Sequence, residues 1–425
     1  MVGVTKIGRG TVVGLAGVAL LAAACGTTTP KSQGVSASAK QTIEFAESGL
    51  GTEGQATQAA INAFMKANPN ITVKVDVLST SSTQYLQQLE QRFVANSPTP
   101  DVLESDVTYP AAFAKSGWIM PLDSYGPNNS SYFSGEVAAG QYQGKTYAIP
   151  WFDNPEGLFY RTDLVKTPPK TPAQLVSDAQ AAMKSDHALK EGLAFEGAKY
   201  EGAITAFLTT EGAFGGKLDP SNLDTPGNVA ALQFLYDAIY TNHIAPTAVT
   251  GWQEGQVQSE FSSGHTAFAI NYPFVFSATM QGQPAYGHIG FIPFPAASGG
   301  TPSSALGGEM LAINAKTTHA AAAWKLIQYL TSVPAMVTRA EATGDPPARP
   351  AAYTSALYAK APQFRQIKAL AADAAPRPVS PNYPKISSAL QDALSAVFAN
   401  QIKPAQTLKL AAPAIKALAA GGSQG

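Results

Sequence analysis

QTIEFAESGLGTEGQATQAAINAFMKANPNITVKVDVLSTSSTQYLQQLEQRFVANSPTPDVLESD, residues 41–106, is the stretch that decides the fold. Thr42 to Ala46 reads as a strand. Ile61, Phe64 and Met65 follow at helical spacing, and that helix stops near Asn68-Pro69. Ile71, Val73, Val75 and Val77 alternate as a strand. Leu86, Leu89 and Phe93 mark a second helix, and past Pro98 and Pro100 the segment Asp101 to Leu103 is a short strand. The order β-α-β-α-β predicts a mostly parallel sheet covered by helices.

Working outward, the rest of the chain turns more helical. Tyr147 to Pro150 and Gly157 to Tyr160 read as short strands around a break at Pro150-Trp151-Phe152-Asp153-Asn154-Pro155. Val229, Leu232, Leu235, Tyr236 and Ile239 form a helical stripe. His265 to Ile270 reads as a strand, broken at Asn271-Tyr272-Pro273. Ala323 to Leu330 and Ile386 to Val397 carry two further helices. The breaks near 151 and 272 are the expected crossover points between lobes. At the other end, Lys6 and Arg9 precede a short apolar run, Thr11 to Ala24, which ends at Cys25, the only cysteine. A basic start, a short apolar stretch and small residues before a Cys describe a lipoprotein signal peptide over 1–24. The run is shorter than the ~20 residues a spanning helix needs. Lipid on Cys25 would tether the body outside a membrane, with 25–40 as a flexible linker and 419–425 as a disordered tail.

With 425 residues, 45% of them hydrophobic, the body beyond the linker exceeds one core and suits two lobes. A net charge of −1 and no basic run give nothing to recruit nucleic acid. Once Cys25 is lipidated no thiol remains for a disulfide. His187, His243, His265, His288 and His319 show no metal-ligand spacing, so no metal and no cofactor are expected. No G-x-S-x-G elbow is present. Gly49, Gly51 and Gly54 spell G-x-G-x-x-G, with Asp76 downstream, as in a dinucleotide site. Glu47 beside that loop would repel a pyrophosphate, and Asp76 sits on the outward face of an alternating strand. The loop therefore reads as a Gly-rich turn facing a cleft.

Polar and aromatic residues gather at the ends of the expected strands: Glu47; Glu104-Ser105-Asp106; Trp151, Asp153 and Asn154; Tyr272; Gly307, Gly308 and Glu309; and Arg377 between two prolines. In open α/β sheets ligands bind beyond the carboxyl ends of strands. Carboxylates and amides there pair with hydroxyls, and aromatic faces stack on the C–H face of a pyranose. A glycosidase using Glu47 and Asp106 is the alternative from another class.

The stretches AFMKANPNITVKV, PDVLESDVTYPAAFAKSGWIMPLD, GKTYAIPWFDNPEGLFYRTDLV, FSSGHTAFAINYPF, ALGGEMLAINAKTTHAAAAWKLIQYL and AAPRPVSPNYPKIS, in this order, resemble the maltose-binding-like, extracellular solute-binding proteins of ABC sugar importers. The resemblance covers about residues 41–410. LESDV, INYPFVF, LGGE and PRPVSPNY are most similar to trehalose-binding lipoproteins of mycobacteria and their relatives. It implies an α/β, two-lobed periplasmic-binding-protein fold (type II) with hinge crossovers and a cleft. One lobe is expected over 41–150 and 274–331, the other over 151–273 and 332–418. It implies ligand contacts at Asp106, Asn154, Glu254, Tyr272, Gly308 and Arg377, with Tyr272 standing where relatives usually carry Trp. It further implies a binding protein rather than an enzyme: a monomer held on the outer face of the cell membrane, delivering a disaccharide or short oligosaccharide to a permease. The same fold with a glycerol-phosphate or peptide ligand is the remaining alternative, and a phosphate would call for more cations than these clusters contain.

Overall fold

The computed structural model describes residues 40–49, 52–277 and 281–421. Cys25, the signal segment 1–24 and the linker up to residue 39 lie outside the described residues, as do Gly51 and 422–425.

Eleven strands run through the described residues: β1 (Gln41–Glu47), β2 (Ile71–Val77), β3 (Val102–Asp106), β4 (Gln141–Tyr142), β5 (Lys145–Thr146), β6 (Ala148–Pro155), β7 (Gly157–Arg161), β8 (Glu191–Ala194), β9 (Thr266–Asn271), β10 (Ile289–Ile292) and β11 (Leu306–Ile313). They form a five-stranded sheet in the order β2-β1-β3-β11-β6, a four-stranded sheet in the order β10-β7-β9-β8, and the β4-β5 hairpin. In the larger sheet β1 lies parallel to β2 and β3, while β11 runs antiparallel between β3 and β6.

Strand alternation supplies each sheet with two covered faces. Ile43 and Phe45 of β1 pack with Phe64 of the helix α1 (Glu53–Ala67) and with Leu326 and Ile327. Ala46 and Leu103 face the other way, onto Leu86, Leu89 and Phe93 of the helix α2 (Ser82–Val94). Phe64 and Leu89 are fully buried, and each contributes about 1.5–3 kcal/mol. In the smaller sheet Leu193, Phe268 and Ile270 meet the helices Glu201–Glu211, Pro226–Tyr240 and Tyr383–Phe398. Phe159, Ala194 and Ala269 meet Phe261 and Phe364 on the opposite face.

The structure departs from the expected organisation in four places. The segment expected as a break at 150–155 is continuous strand: β6 runs through it, and its pairing with β11 shifts register only at Glu309/Met310. The chain leaves the larger sheet at Glu156, whose N–H donates to the Ala305 carbonyl at 2.9 Å. It returns at Ala305–Leu306 and not near 272. After β9 the side chain of Asn271 donates to the Glu254 carbonyl and accepts from the Tyr272 N–H, and a turn at Pro273–Phe276 keeps the chain with the smaller sheet. As a result β10, inside the expected 274–331 segment, pairs with β7. The helix Val333–Thr343, expected with the other lobe, instead joins the first: Met336 enters the core of the larger sheet and Arg339 reaches α1. Finally, the last helix runs from Pro404 to Gly421, so 419–421 is helical.

Arg339 fastens that helix. Its guanidinium lies 4.2 Å from the Trp151 ring centroid and 4.4 Å from that of Phe152. It donates to Thr57 at 3.0 Å and pairs with Asp345 at 3.0 Å and Glu53 at 3.6 Å. All three charged groups are buried. We expect Arg339→Ala to cost about 3–5 kcal/mol, because it strands two buried carboxyls. Urea unfolding measures this, and a loss below 1 kcal/mol contradicts the assignment.

Other buried acids lack a cation. The Asp153 carboxyl lies against that of Glu136, and burial pushes Asp153 up to about 7. Burial likewise pushes Glu156 and Glu211 up to about 8. Each of these groups holds a proton in the folded state that the unfolded chain, with carboxyl pKa values near 4, releases. Their contribution to stability is complete below about pH 4 and is lost as pH rises through 7 to 8. Calorimetry should therefore show the melting temperature falling by several degrees between about pH 5.5 and pH 8.5, and a flat or rising profile contradicts this.

Candidate functional site

The carboxyl end of β3, one edge of β6 and the start of β11 open onto a cleft. From the smaller sheet's side it is closed by the starts of the helices Glu201–Glu211 and Glu254–Ser262 and by Tyr272 after β9. Arg377 spans it. Its Nη2 donates to Asp106 Oδ2 at 2.9 Å, and its Nη1 donates to Glu201 Oε1 at 2.8 Å. Both carboxylates are held from behind. Asp106 Oδ1 accepts from the Thr108 N–H at 2.8 Å and the Thr108 hydroxyl at 2.6 Å. Glu201 accepts from the Tyr383 hydroxyl at 2.6 Å and from Ser387.

Two buried polar atoms on this wall have no partner among the described residues: Arg377 Nε and Asn154 Oδ1. Leaving a buried donor or acceptor unmet costs about 1–3 kcal/mol. One is a donor and the other an acceptor, and a hydroxyl can satisfy either.

The remaining polar lining is acidic. Glu104 accepts from the Ser48 N–H at 2.6 Å. Burial, and then the facing Glu47, push it up to about 7. Glu254 is pushed up to about 7 by burial and then by Asp106. Glu53 and Glu309 are raised further, first by burial and then by neighbouring acids, Asp345 for the former and Glu104 for the latter. Tyr272 supplies an apolar face, and Phe152 borders the cleft with its ring set against Arg339. Gly307 and Gly308 make room for them. A Cβ on Gly307 would sit 2.8 Å from Tyr272 Cε1, and one on Gly308, at φ 125°, would sit 2.6 Å from the Phe152 carbonyl oxygen.

Of the residues singled out in the sequence, Asp106, Asn154, Glu254, Tyr272, Gly307, Gly308, Glu309 and Arg377 line this one cleft. Trp151 and Asp153 do not. Trp151 is the extra residue where β6 shifts register against β11, and its ring and that of Phe152 both lie against Arg339, while Asn154 faces the cleft and Asp153 faces away. Trp151 lies under Arg339 and edge-on to Phe45, and Asp153 lies against Glu136. Glu47 is buried beside Thr57 and points toward α1. It therefore shares no open space with Asp106, as a glycosidase pair would need. Gly49 adopts φ +61°, and the amide that follows Glu47 is taken by the Glu104 carboxylate. Asp76 pairs with Arg92 on the outer face of β2. Glu201 and Glu53 escaped the sequence reading, since an acid in the first turn of a helix looks like an ordinary helix start.

The profile of the bacterial extracellular solute-binding protein family matches residues 48–337. A probable ABC transporter-binding protein of Deinococcus radiodurans is 30% identical over 87% of this chain and 91% of its own. Among solved structures, maltose-bound T. maritima MalE3 superposes with a TM-score of 0.84 at 30% identity, covering 89% of this chain and 99% of the other. The maltose-maltodextrin binding protein of Alicyclobacillus acidocaldarius superposes at 0.75 and 24% identity, covering 88% of this chain and 100% of its own, a likeness of fold. The five-stranded and four-stranded sheets, the crossovers between them and the cleft they share are thus a maltose-binding-protein-like fold, and the chain belongs to the bacterial extracellular solute-binding protein family of ABC transporters.

Proposed function

We propose that this protein captures a disaccharide or short oligosaccharide in the cleft and hands it to the membrane permease of an ABC importer. Trehalose or a related α-glucoside is the first choice of ligand. The observation that carries this reading is the pair of unmet atoms, Arg377 Nε and Asn154 Oδ1, set beside the Arg377–Asp106–Glu201 bridge and the ring of Tyr272. Sugar hydroxyls satisfy such atoms, and a pyranose C–H face suits such a ring. Similarity to a maltose-bound protein at 30% identity supports a sugar over other solutes. A glycerol-phosphate ligand is less well served, because the one cation of the lining, Arg377, already has both terminal nitrogens engaged by carboxylates. Glu47, Trp151 and Asp153 act behind the wall in this reading. The role is binding and not catalysis, with no cofactor, and the protein works as a monomer.

In this reading the lobes are the two sheets with their helices. They correspond to the expected 41–150 with 274–331, and 151–273 with 332–418, after β10 and the helix Val333–Thr343 exchange sides. The chain crosses at Glu156, at Ala305 and near Pro346. Ligand bridging the lobes favours the closed form, which docks on the permease. Lipid on Cys25 keeps the binder at the membrane, so Cys25→Ser yields a protein that binds sugar but is released from the cell surface.

A thermal-shift series against trehalose, maltose and sucrose tests the ligand class. A sugar at 100 times its Kd adds about 2.7 kcal/mol of stability. Arg377→Ala and Asp106→Asn are expected to weaken that sugar tenfold to a hundredfold, or about 1.5–3 kcal/mol, by calorimetric titration. No free glucose is released on prolonged incubation with any of these sugars. If no sugar shifts the melting temperature, or if glucose accumulates, the proposal fails.

A further inference from the structure

We infer, building on the reading of the cleft as a sugar site, that its preferred sugar carries a protonated amino group. Six carboxyls line the cleft (Glu53, Glu104, Asp106, Glu201, Glu254 and Glu309) against the single guanidinium of Arg377. Arg377 is used up on Asp106 and Glu201. Arg339, outside the lining, reaches Glu53 but is shared with Asp345. Among the described residues, Glu104, Glu254 and Glu309 have no cationic side chain paired with them.

An independent feature points the same way. Asn154 is 9% exposed and lines the cleft, and its Oδ1 has no donor. An ammonium brings three donors to that atom and to the neighbouring carboxyls, while a hydroxyl of the same sugar can accept from Arg377 Nε. The Tyr272 ring beside Gly307 offers a π face that attracts a cation as well as a C–H face. Glu104 and Glu309 come from the larger sheet and Glu254 from the other side of the cleft, so one ammonium among them compensates charge contributed by both halves. A neutral sugar makes hydrogen bonds to the same carboxyls and supplies no charge that would favour their ionised forms. An N-acetylated sugar removes the charge, and an anionic sugar adds to the repulsion.

The charge also leaves a signature in protons. Glu104 and Glu254, both pushed up to about 7, retain part of their protons at neutral pH. Glu104 faces Glu47, Ser48 and the more distant Arg339, and Glu254 faces Asp106, Arg377 and Glu104. An ammonium set among them favours the ionised forms, so binding expels protons.

Calorimetric titration at about pH 7, in buffers of differing ionisation enthalpy, tests this with trehalose, 2-amino-trehalose, the glucosamine disaccharide and its N,N′-diacetyl form. The amino sugars are expected to bind at least tenfold more tightly than their hydroxyl or acetylated counterparts, with net proton release. Glu309→Gln is expected to weaken the amino sugars more than trehalose, and should it fail to fold, Glu254→Gln gives the same comparison. Trehalose binding as tightly as its amino counterpart, or more tightly, overturns the inference and leaves the sugar reading standing. Absence of binding by all four overturns both.

Discussion

The guanidinium of Arg377 is the joint on which the rest of the cleft depends. It sits in the segment that follows Ala375, where the chain pairs with Ala305 at the return to the larger sheet. From there it ties the end of β3, through Asp106, to the first residue of the helix Glu201–Glu211, every residue of which is buried. Tyr383 and Ser387 add the helix Tyr383–Phe398 to the same carboxylate. Burying three charges is expensive, and the geometry must be good to offset the desolvation. Here each carboxylate has at least two donors besides or including the guanidinium, which is what permits the arrangement. The bridge contributes position more than stability: it sets Asn154, Glu254 and Tyr272 around one space.

Much of this was legible in residues 41–106, because period-2 and period-3.6 patterns there are clean. The observed Gln41–Glu47, Glu53–Ala67, Ile71–Val77, Ser82–Val94 and Val102–Asp106 follow the sequence reading to within a few residues at their ends. The cleft was legible for a different reason, since strand ends collect ligand residues wherever a parallel sheet opens. What failed was local. Pro150 and Pro155 suggested a break, yet both sit within β6. Once that stretch is a strand with a register shift at Trp151, the Trp151 ring goes under Arg339, Asp153 goes against Glu136 and Asn154 alone of the three residues grouped by sequence faces the cleft. Glu201 was illegible in principle. Its meaning comes from Arg377, 176 positions away, and no local pattern records that meeting. The same holds for β10, a four-residue strand whose assignment rests on β7 across more than a hundred residues of chain.

Acid placement separates two tasks. Glu136, Asp153, Glu156 and Glu211 are buried away from the cleft opening and hold their protons through burial. Glu156 is satisfied by Thr205 and Thr209, so in its protonated state it behaves as a neutral hydrogen-bonding group beneath the cleft floor. The acids that line the cleft repel one another across it, and what enters the cleft can relieve that repulsion.

This arrangement explains how a ligand can govern the relation between the halves. Each sheet has its own apolar cores, and few side chains from the other half enter them, Tyr383 in the larger sheet's core and Ala340 in the smaller sheet's. Across the cleft, contacts of the described residues are largely polar. Thr83 of α2 accepts from the Glu201 N–H at 3.2 Å and from Gln391 at 3.3 Å, and the Arg377 bridge completes the seam. Polar contacts of this kind exchange readily with water and are worth about 0.5–1.5 kcal/mol each, against the much larger sums inside each core. In the proposed reading, opening breaks the seam and leaves most of each core intact, while the cost of burying Glu104, Glu254 and Glu309 together favours it. On that reading, a bound molecule that pairs with both walls reverses that balance, so closure follows ligand chemistry more than the packing of either half.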